Sequence, residues 1–253
     1  MRLELSTFNI RNINDRYSER MPHLGRAFAA LNADIVGLQE VTTSDGGPGK
    51  PPQHDFLSSQ APERHYKSLL SPHAANNAWN NAIMCAVGQI HVHETLRLST
   101  GRSAQRVLVF YEGRTIWFAN THLHHVPEEP EVRAEQARAI AEWMAAAPRA
   151  DATFVVGDFN TPPFEPAYQV MLRAGYRSAF VEANGAEPPV TWPSGIQAET
   201  MDTDGEPNCL DYIWCSGGVS VVSARLSANE HVVGDPTLYP SDHFAIVATV
   251  ELA

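Results

Sequence analysis

Short apolar runs with the two-residue period of β-strands recur along the whole of this chain, whereas only three segments carry a helical repeat. Their order is strand, helix, strand, then a series of strands, then helix, strand, helix, and finally more strands. Because each element must bury its apolar face against another layer, this order favours mixed β-sheets covered by helices. The predicted strands are 2–10, 34–39, 65–70, 82–87, 90–98, 105–111, 115–121, 152–157, 177–182, 210–215, 218–226 and 243–251. The predicted helices are 18–32, 130–147 and 165–174.

The connections between these runs indicate how neighbouring elements pair. A helix with Leu24, Phe28 and Leu31 on one face separates the first two strands, so the chain opens with a β-α-β unit. The turn Glu112-Gly113-Arg114 joins two strand-like runs, which predicts an antiparallel hairpin in the middle of the chain. The middle of the chain is therefore expected to form a β-meander.

Chain length and composition fit one compact unit. With 253 residues, of which 43% are hydrophobic, the chain can bury a large core, and we expect a single α/β domain over residues 1–253. Residues 44–54 are rich in Gly and Pro and predict an exposed loop that is too short for a domain linker. Residues 184–208 predict a long polar loop.

Charge and cysteine content limit the classes of partner. The formal charge of −11 disfavours attraction to a long polyphosphate backbone, and hence a non-specific nucleic-acid binder. The three cysteines show no C-x-x-C spacing, which argues against a disulfide framework and a thiolate zinc site and favours the cytoplasm. Residues 1–10 do not resemble a signal peptide, and no apolar run is long enough to span a bilayer. The sequence gives no sign of a protein partner.

Polar residues stand at the ends of five predicted strands, where a rigid sheet can hold them at an open edge. Singly, each such residue is usually a turn former or a helix cap. Together they supply carboxylates, amides and histidines, an oxygen-rich set that suits Mg²⁺ or Mn²⁺ better than zinc. The five groups are Asn9, Gln39-Glu40, Asn120-Thr121-His122, Asp158-Phe159-Asn160 and Ser241-Asp242-His243.

Six motifs in a fixed order extend this pattern from residue 7 to residue 244. They are Thr7-Phe8-Asn9-Ile10-Arg11, Leu38-Gln39-Glu40-Val41, Asn120-Thr121-His122-Leu123, Gly157-Asp158-Phe159-Asn160, Leu210-Asp211-Tyr212-Ile213 and Ser241-Asp242-His243-Phe244. This series resembles the endonuclease/exonuclease/phosphatase superfamily of metal-dependent phosphoesterases, which includes deoxyribonucleases and sphingomyelinases. The resemblance implies a four-layer α/β sandwich like that of pancreatic deoxyribonuclease, in which helices flank two packed mixed sheets and the site lies at one rim.

The resemblance also implies a role for each matched residue. Glu40, with Asn9 and Asp242, would hold the metal. Asp158 would activate the attacking water, although His243 has also been considered as the base in such sites. The other implied catalytic residues are His122, Asn160, Asp211 and His243, with Asp211 orienting the His243 ring. Residues assigned to substrate binding are Arg11, Asn81, Asn120 and Trp192. The alternatives are that Arg11 contacts a carboxylate and that Trp192 packs in the core.

The substrate stays open at this point, because related folds carry many functions. The first expectation is hydrolysis of a phosphodiester or a phosphomonoester by an activated water. A nuclease that recognises DNA or RNA locally is the alternative, and a catalytically inactive phosphate-binding protein is the second. Arg11 stands where nuclease relatives carry an acid, which argues against a second metal on that side. His124 and His125 are expected near the site but match no motif.

Overall fold

A computed structural model describes residues 1–43, 51–71, 79–201 and 205–252. Twelve strands and five α-helices are found in these ranges. The strands are β1 (Arg2–Asn9), β2 (Ile35–Val41), β3 (Lys67–Leu70), β4 (Asn80–Cys85), β5 (Gln89–Arg97), β6 (Ser103–Tyr111), β7 (Arg114–His122), β8 (Ala152–Asp158), β9 (Arg177–Ser178), β10 (Asp211–Gly217), β11 (Val219–Ser227) and β12 (Ala245–Leu252). The helices are α1 (Tyr17–Leu31), α2 (Gln53–Gln60), α3 (Pro130–Ala145), α4 (Pro166–Arg173) and α5 (Ala179–Asn184).

The strands form two mixed sheets of six strands each. The first sheet has the order β11-β12-β1-β2-β4-β3, and the second has the order β5-β6-β7-β8-β10-β9. In the first, β1 runs parallel to β2 and antiparallel to β12, so strands from the two ends of the chain lie side by side. In the second, β7 pairs antiparallel with β6 and parallel with β8. The predicted central hairpin, β6–β7, is confirmed.

Apolar side chains fill the space between the two sheets and the space under the helices. Leu5, Phe118 and Phe154 are among the buried residues between the sheets. On the outer face of the second sheet, residues of α3 and α4, including Ile140 and Met171, cover Trp214 and its neighbours. Helices α1 and α2 cover the outer face of the first sheet in the same way. The predicted four-layer sandwich of two mixed sheets flanked by helices is confirmed.

Two local predictions differ from the structure. Residues 177–182 were expected to be a strand, but only Arg177 and Ser178 pair with β10, and α5 follows at once. The Ser178 hydroxyl accepts a hydrogen bond from Val181 N at 3.3 Å and so caps this helix.

The second difference concerns the predicted loop 44–54. Residues 44–50 of that loop lie outside the described residues, whereas Gln53 and His54 begin α2. This helix has 8 residues and buries Leu57 against the first sheet. So short an apolar repeat gives little signal in the sequence.

None of the described helices combines the length and apolar character that crossing a membrane requires.

Replacement of Gly157 by Ala is expected to destabilise the fold by about 1–3 kcal/mol or more, because a side chain there overpacks the sheet. Gly157 has φ 149° and lies in β8 next to Thr121 of β7. A Cβ atom at this position would come within 2.1 Å of the Thr121 carbonyl oxygen. Gly218→Ala is the control, since a Cβ there meets only Asp151 O at 3.9 Å. Equal midpoints of urea denaturation for the two variants would contradict this expectation.

Candidate active site

The polar strand ends of the two sheets meet at one rim, around a cavity of about 900 Å³. This volume is in the range of sites that enclose a small molecule. Nine of the residues singled out in the sequence line the cavity: Arg11, Glu40, Asn81, His122, Asp158, Asn160, Trp192, Asp242 and His243. Asn9 and Asp211 lie directly behind them and contact lining residues. The structure therefore brings together eleven of the twelve site residues that the sequence predicted.

Asn120 is the residue that the structure places elsewhere. Its side chain is fully buried, and Nδ2 donates to the backbone carbonyls of Leu38 and Ala82 at 2.8 and 2.9 Å. Its Oδ1 accepts from Gln39 Nε2 at 2.7 Å. Asn120 therefore links β7 to strands of the other sheet beneath the cavity instead of facing a substrate.

Asn9 connects the two halves of the site. Its Nδ2 lies 2.9 Å from Asp158 Oδ2 and 3.2 Å from Glu40 Oε1, and 3.5 Å from His243 Nε2. Its Oδ1 accepts from the Arg11 backbone N–H at 3.0 Å, which fixes the amide orientation. The end of β1 thus aligns carboxylates that come from β2 and β8.

His243 lies between two carboxylates. Its Nδ1 donates to Asp211 Oδ2 at 2.9 Å, and its Nε2 lies 3.6 Å from Asp158 Oδ2. Burial by itself would lower the pKa of His243, but Asp211, Asp158 and Asp242 together raise it above its usual range. An imidazolium held in this way can donate from Nε2 toward the cavity.

The carboxyl group of Asp158 is buried at the centre of these contacts. Its Oδ1 accepts from the Asn160 backbone N–H at 2.9 Å. Burial raises the pKa of Asp158, while the neighbouring His243 acts against that rise. A carboxylate whose pKa moves toward neutrality is suited to accept a proton from water near neutral pH.

Glu40 and Asp242 form an acidic pair on the other side of Asn9. Glu40 Oε2 accepts from Asn12 Nδ2 at 3.2 Å, and Arg11 Nε lies 3.5 Å from Asp242 Oδ2. Burial raises the pKa of Glu40, and the charge of Asp242 raises it further. A divalent cation would relieve this repulsion, and its preferred ligands are the oxygen atoms present here.

A second group of possible metal ligands lies close by. One ligand atom from each of Asp158, Asp211 and His243 falls within 4.8 Å of the other two. However, a histidine that binds a metal must be neutral at the ligating nitrogen, and both ring nitrogens of His243 face carboxylates. The acidic pair of Glu40 and Asp242 therefore fits a hard cation better.

His122 and Asn160 flank Asp158. His122 Nε2 lies 3.4 Å from Asp158 Oδ2, and Nδ1 has no hydrogen-bond partner among the described residues. Burial lowers the pKa of His122 well below its usual value, and the charge of Arg102 acts in the same direction, which favours the neutral ring. Asn160 Nδ2 donates to the Leu123 carbonyl at 3.1 Å. Since an amide has two N–H donors, the other remains available to a ligand.

The remaining lining residues predicted from the sequence have defined contacts. Asn81 Nδ2 donates to the Ser103 carbonyl at 3.0 Å. The ring of Trp192 is largely buried, with its centroid 6.5 Å from that of His243. Arg11 Nε pairs with Asp15 Oδ2 at 2.6 Å, so this arginine contacts carboxylates.

Left-handed backbone conformations cluster at this rim. Arg11, Asn12, Glu40 and Asn160 all have positive φ, with values of 53°, 30°, 57° and 47°. Such conformations are uncommon for residues other than glycine, and they persist only where the surrounding structure enforces them. Their concentration here is typical of a functional site.

The cavity includes residues that the sequence interpretation did not assign to it. Arg102 and Phe164 line it, as do His124 and His125, which match no motif but were expected near the site. The position of the hairpin turn in the sequence could have predicted that Arg102 lies at the rim. Antiparallel pairing about that turn sets Ser103 opposite His122, so the residue before Ser103 must lie at the same rim.

A comparison with protein families gives the same family that the sequence motifs resemble. A family described as the endonuclease/exonuclease/phosphatase family matches residues 6–243. The chain belongs to this family. The predicted site residues from Asn9 to His243 all fall within the matched range.

Solved structures of other proteins share the fold of this chain. An endonuclease/exonuclease/phosphatase from Bacteroides vulgatus is 23% identical with a TM-score of 0.79, and 100% of each chain is covered. TDP2 of D. rerio in complex with a single-strand DNA product is 17% identical with a TM-score of 0.78, with 99% of each chain covered. The human Nocturnin catalytic domain with a bound sulfate anion is 20% identical with a TM-score of 0.76, covering 100% of this chain and 95% of that one. A search of the curated proteins found no match.

Proposed function

We propose that this chain is a divalent-metal-dependent phosphoesterase that hydrolyses a phosphodiester, or a phosphomonoester, by direct attack of an activated water. The observation that carries the proposal is the arrangement of His243 between Asp211 and Asp158, with Glu40 and Asp242 in the same cavity. Membership of the endonuclease/exonuclease/phosphatase family supports it. We further propose that residues 1–253 act as one domain, since β1 and β12 pair across the chain ends.

In this proposal Asp158 accepts the proton of the attacking water. Its buried carboxylate is oriented by Asn9 and by the Asn160 backbone N–H. His243 then donates from Nε2 to a phosphate oxygen as charge develops in the transition state, and Asp211 holds the ring in position. His122 and Asn160 provide further hydrogen bonds from the other side of the cavity.

Glu40, Asn9 and Asp242 are the proposed residues of a Mg²⁺ or Mn²⁺ site. A divalent ion bound there would polarise a phosphate oxygen and offset charge on the leaving group. Arg11 pairs with Asp242 at the edge of this site and limits the space for a second ion on that side.

A nuclease acting on a locally recognised DNA or RNA is the alternative substrate class. The structural similarity to TDP2 in complex with a single-strand DNA product favours it. The net charge of −11 disfavours long duplexes. A catalytically inactive phosphate-binding protein is the remaining alternative, and the complete set of acidic and histidine residues opposes it.

Turnover of a substrate panel tests the function. The panel contains bis-p-nitrophenyl phosphate, p-nitrophenyl phosphate, single- and double-stranded DNA, RNA and sphingomyelin, each with Mg²⁺, Mn²⁺ or EDTA. We expect metal-dependent hydrolysis of at least one of these esters. Absence of turnover throughout, or full activity in EDTA, would refute the proposal.

Glu40→Gln is expected to weaken Mn²⁺ binding by at least about 10–100-fold, the loss typical of residues that only support a metal ligand. The reason is the removal of the dedicated carboxylate from the acidic pair. Electron paramagnetic resonance of added Mn²⁺ measures the affinity without any substrate. Asp211→Asn is the matched comparison and should retain the ion. If Asp211→Asn loses the ion and Glu40→Gln retains it, the metal lies between Asp158, Asp211 and His243.

Asp211→Asn is expected to lower kcat by about 10–100-fold, because Asp211 acts only by orienting the His243 ring. The loss should not add to that of His243→Ala, since both residues serve one transition state. Steady-state kinetics of the two single variants and the double variant measure this coupling. Additive losses would show that Asp211 has a separate role.

A further inference from the structure

Arg102 lines the cavity without a carboxylate partner among the described residues. Its Nη2 lies 3.1 Å from His125 Nδ1, to which the guanidinium donates. The other two arginines in the described lining are paired, Arg11 with Asp15 and Arg133 with Glu165. Burial lowers the pKa of Arg102, and Asp158 and Glu40 act against that change without forming an ion pair with the guanidinium in the described structure. The cavity at Arg102 is therefore suited to a negatively charged ligand.

The sheet topology places Arg102 beside the site of hydrolysis and not at its centre. Ser103 of β6 pairs with His122 of β7, which in turn pairs with Asp158 of β8. Two strand spacings of about 4.8 Å separate β6 from β8, or about 10 Å. His122 fills the space between, since its Nε2 lies 3.4 Å from Asp158 Oδ2. The backbone of Arg102 therefore lies two strands away from Asp158, with His122 on the strand between them.

The backbone on both sides of the Arg102 side chain is fixed by one buried residue of α3. Gln136 Nε2 donates to the Ser99 carbonyl at 2.9 Å and to Thr100 Oγ1 at 3.1 Å, in the turn that leads to Arg102. Gln136 Oε1 accepts from the His124 backbone N–H at 2.8 Å, next to His125. Thr100 is held at φ 56°, an uncommon conformation for threonine. The backbone that leads to Arg102 and to His125 is thus held in place by α3.

From this geometry we propose that Arg102 binds a second phosphoryl group of the substrate, adjacent to the phosphate that is hydrolysed. The inference rests on the proposed phosphoesterase function and narrows it to esters with at least two phosphoryl groups, as in a terminally phosphorylated dinucleotide or the end of an oligonucleotide. The guanidinium offers several N–H donors to such a group, and His125 holds it in place. A cavity of about 900 Å³ has room for more than one phosphate.

Binding to the slow variant Asp158→Asn tests this inference without relying on turnover. The probes are the dinucleotide dTpdT and its two forms with a terminal 5′- or 3′-phosphate, titrated calorimetrically in Mg²⁺. We expect one terminal phosphate to raise affinity by about 10–100-fold, as for a charge-assisted hydrogen bond. Adding Arg102→Gln to Asp158→Asn should abolish this gain in affinity. Adding Arg149→Gln, which alters an exposed arginine outside the cavity, should preserve it.

Two outcomes would overturn the inference. In the first, neither terminal phosphate changes the affinity of the dinucleotide. In the second, Arg102→Gln weakens the binding of dTpdT as much as the binding of its phosphorylated forms, which would place Arg102 on the scissile phosphate. Failure of the proposed function is seen separately, as absence of turnover by the unmodified protein on the substrate panel. The affinity ratio would still decide the role of Arg102 in that case.

Discussion

Asp158→Asn is expected to lower kcat by about 10²–10⁴-fold, the range for loss of a general base, while the fold is retained. The amide preserves the shape of the side chain, and its single oxygen can still accept one of the two hydrogen bonds, from Asn9 or from the Asn160 backbone N–H. It has no basicity with which to take a proton from water. Steady-state kinetics on any ester that the protein hydrolyses, with circular dichroism to check folding, measure the effect.

The control for this prediction is Asp55→Asn, which makes the same chemical change at an exposed position of α2. This variant should keep kcat within about two-fold, since surface substitutions are usually near neutral. A near-normal kcat for Asp158→Asn would remove Asp158 as the base. The pair Asp211–His243 would then be the alternative source of basicity.

Arg20→Met is expected to destabilise the protein by about 3–5 kcal/mol, the range for breaking a buried charge network. Arg20 is fully buried in α1, and its guanidinium donates to the carbonyls of Ile10, Asn12 and Pro240 at 3.0, 2.9 and 3.1 Å. Methionine fills part of the volume but leaves these carbonyls without a donor. Burial lowers the pKa of Arg20 to about 10, so the side chain is still charged near neutral pH.

Urea denaturation measures this loss, and Arg26→Met is the matched control. Arg26 is exposed on the same helix and pairs only with His23 in the described structure, so its replacement should cost less than about 0.5 kcal/mol. A loss below about 1 kcal/mol for Arg20→Met would show that water replaces the guanidinium. Ile10 directly follows Asn9, and Pro240 shortly precedes Asp242. The Arg20 network therefore also joins the two segments that carry these proposed metal ligands.

Much of the site could be predicted from the sequence because its residues stand at strand ends. A polar group directly after an apolar run, such as Glu40 or Asp158, has to emerge at the edge of a sheet. The same local pattern predicted that His122 and His243 would reach that edge. The order of the motifs then identified the family, and the family comparison agrees.

The role of Asn120 could not be predicted in this way. Asn120 and His122 project from the same face of β7, but Asn120 is two residues deeper, about 7 Å along the strand. Its amide therefore meets the carbonyls of Leu38 and Ala82 in the other sheet and not the cavity. Only the packing of one sheet on the other determines which polar residue of a strand becomes structural.

The sequence by itself determined the mixed sheets covered by helices and the set of residues at their rim, because strand periodicity and strand-end polarity are local properties of the chain. The sandwich of two sheets was implied by the resemblance of the motifs to the family. The tertiary structure decided which of those side chains reach the cavity, and it added Arg102, which matches no motif. It also made α5 a helix where a strand was expected. These outcomes depend on strand register and on long-range contacts such as those of Gln136 and Arg20, and apart from the hairpin turn before Arg114, no local pattern in the sequence records them.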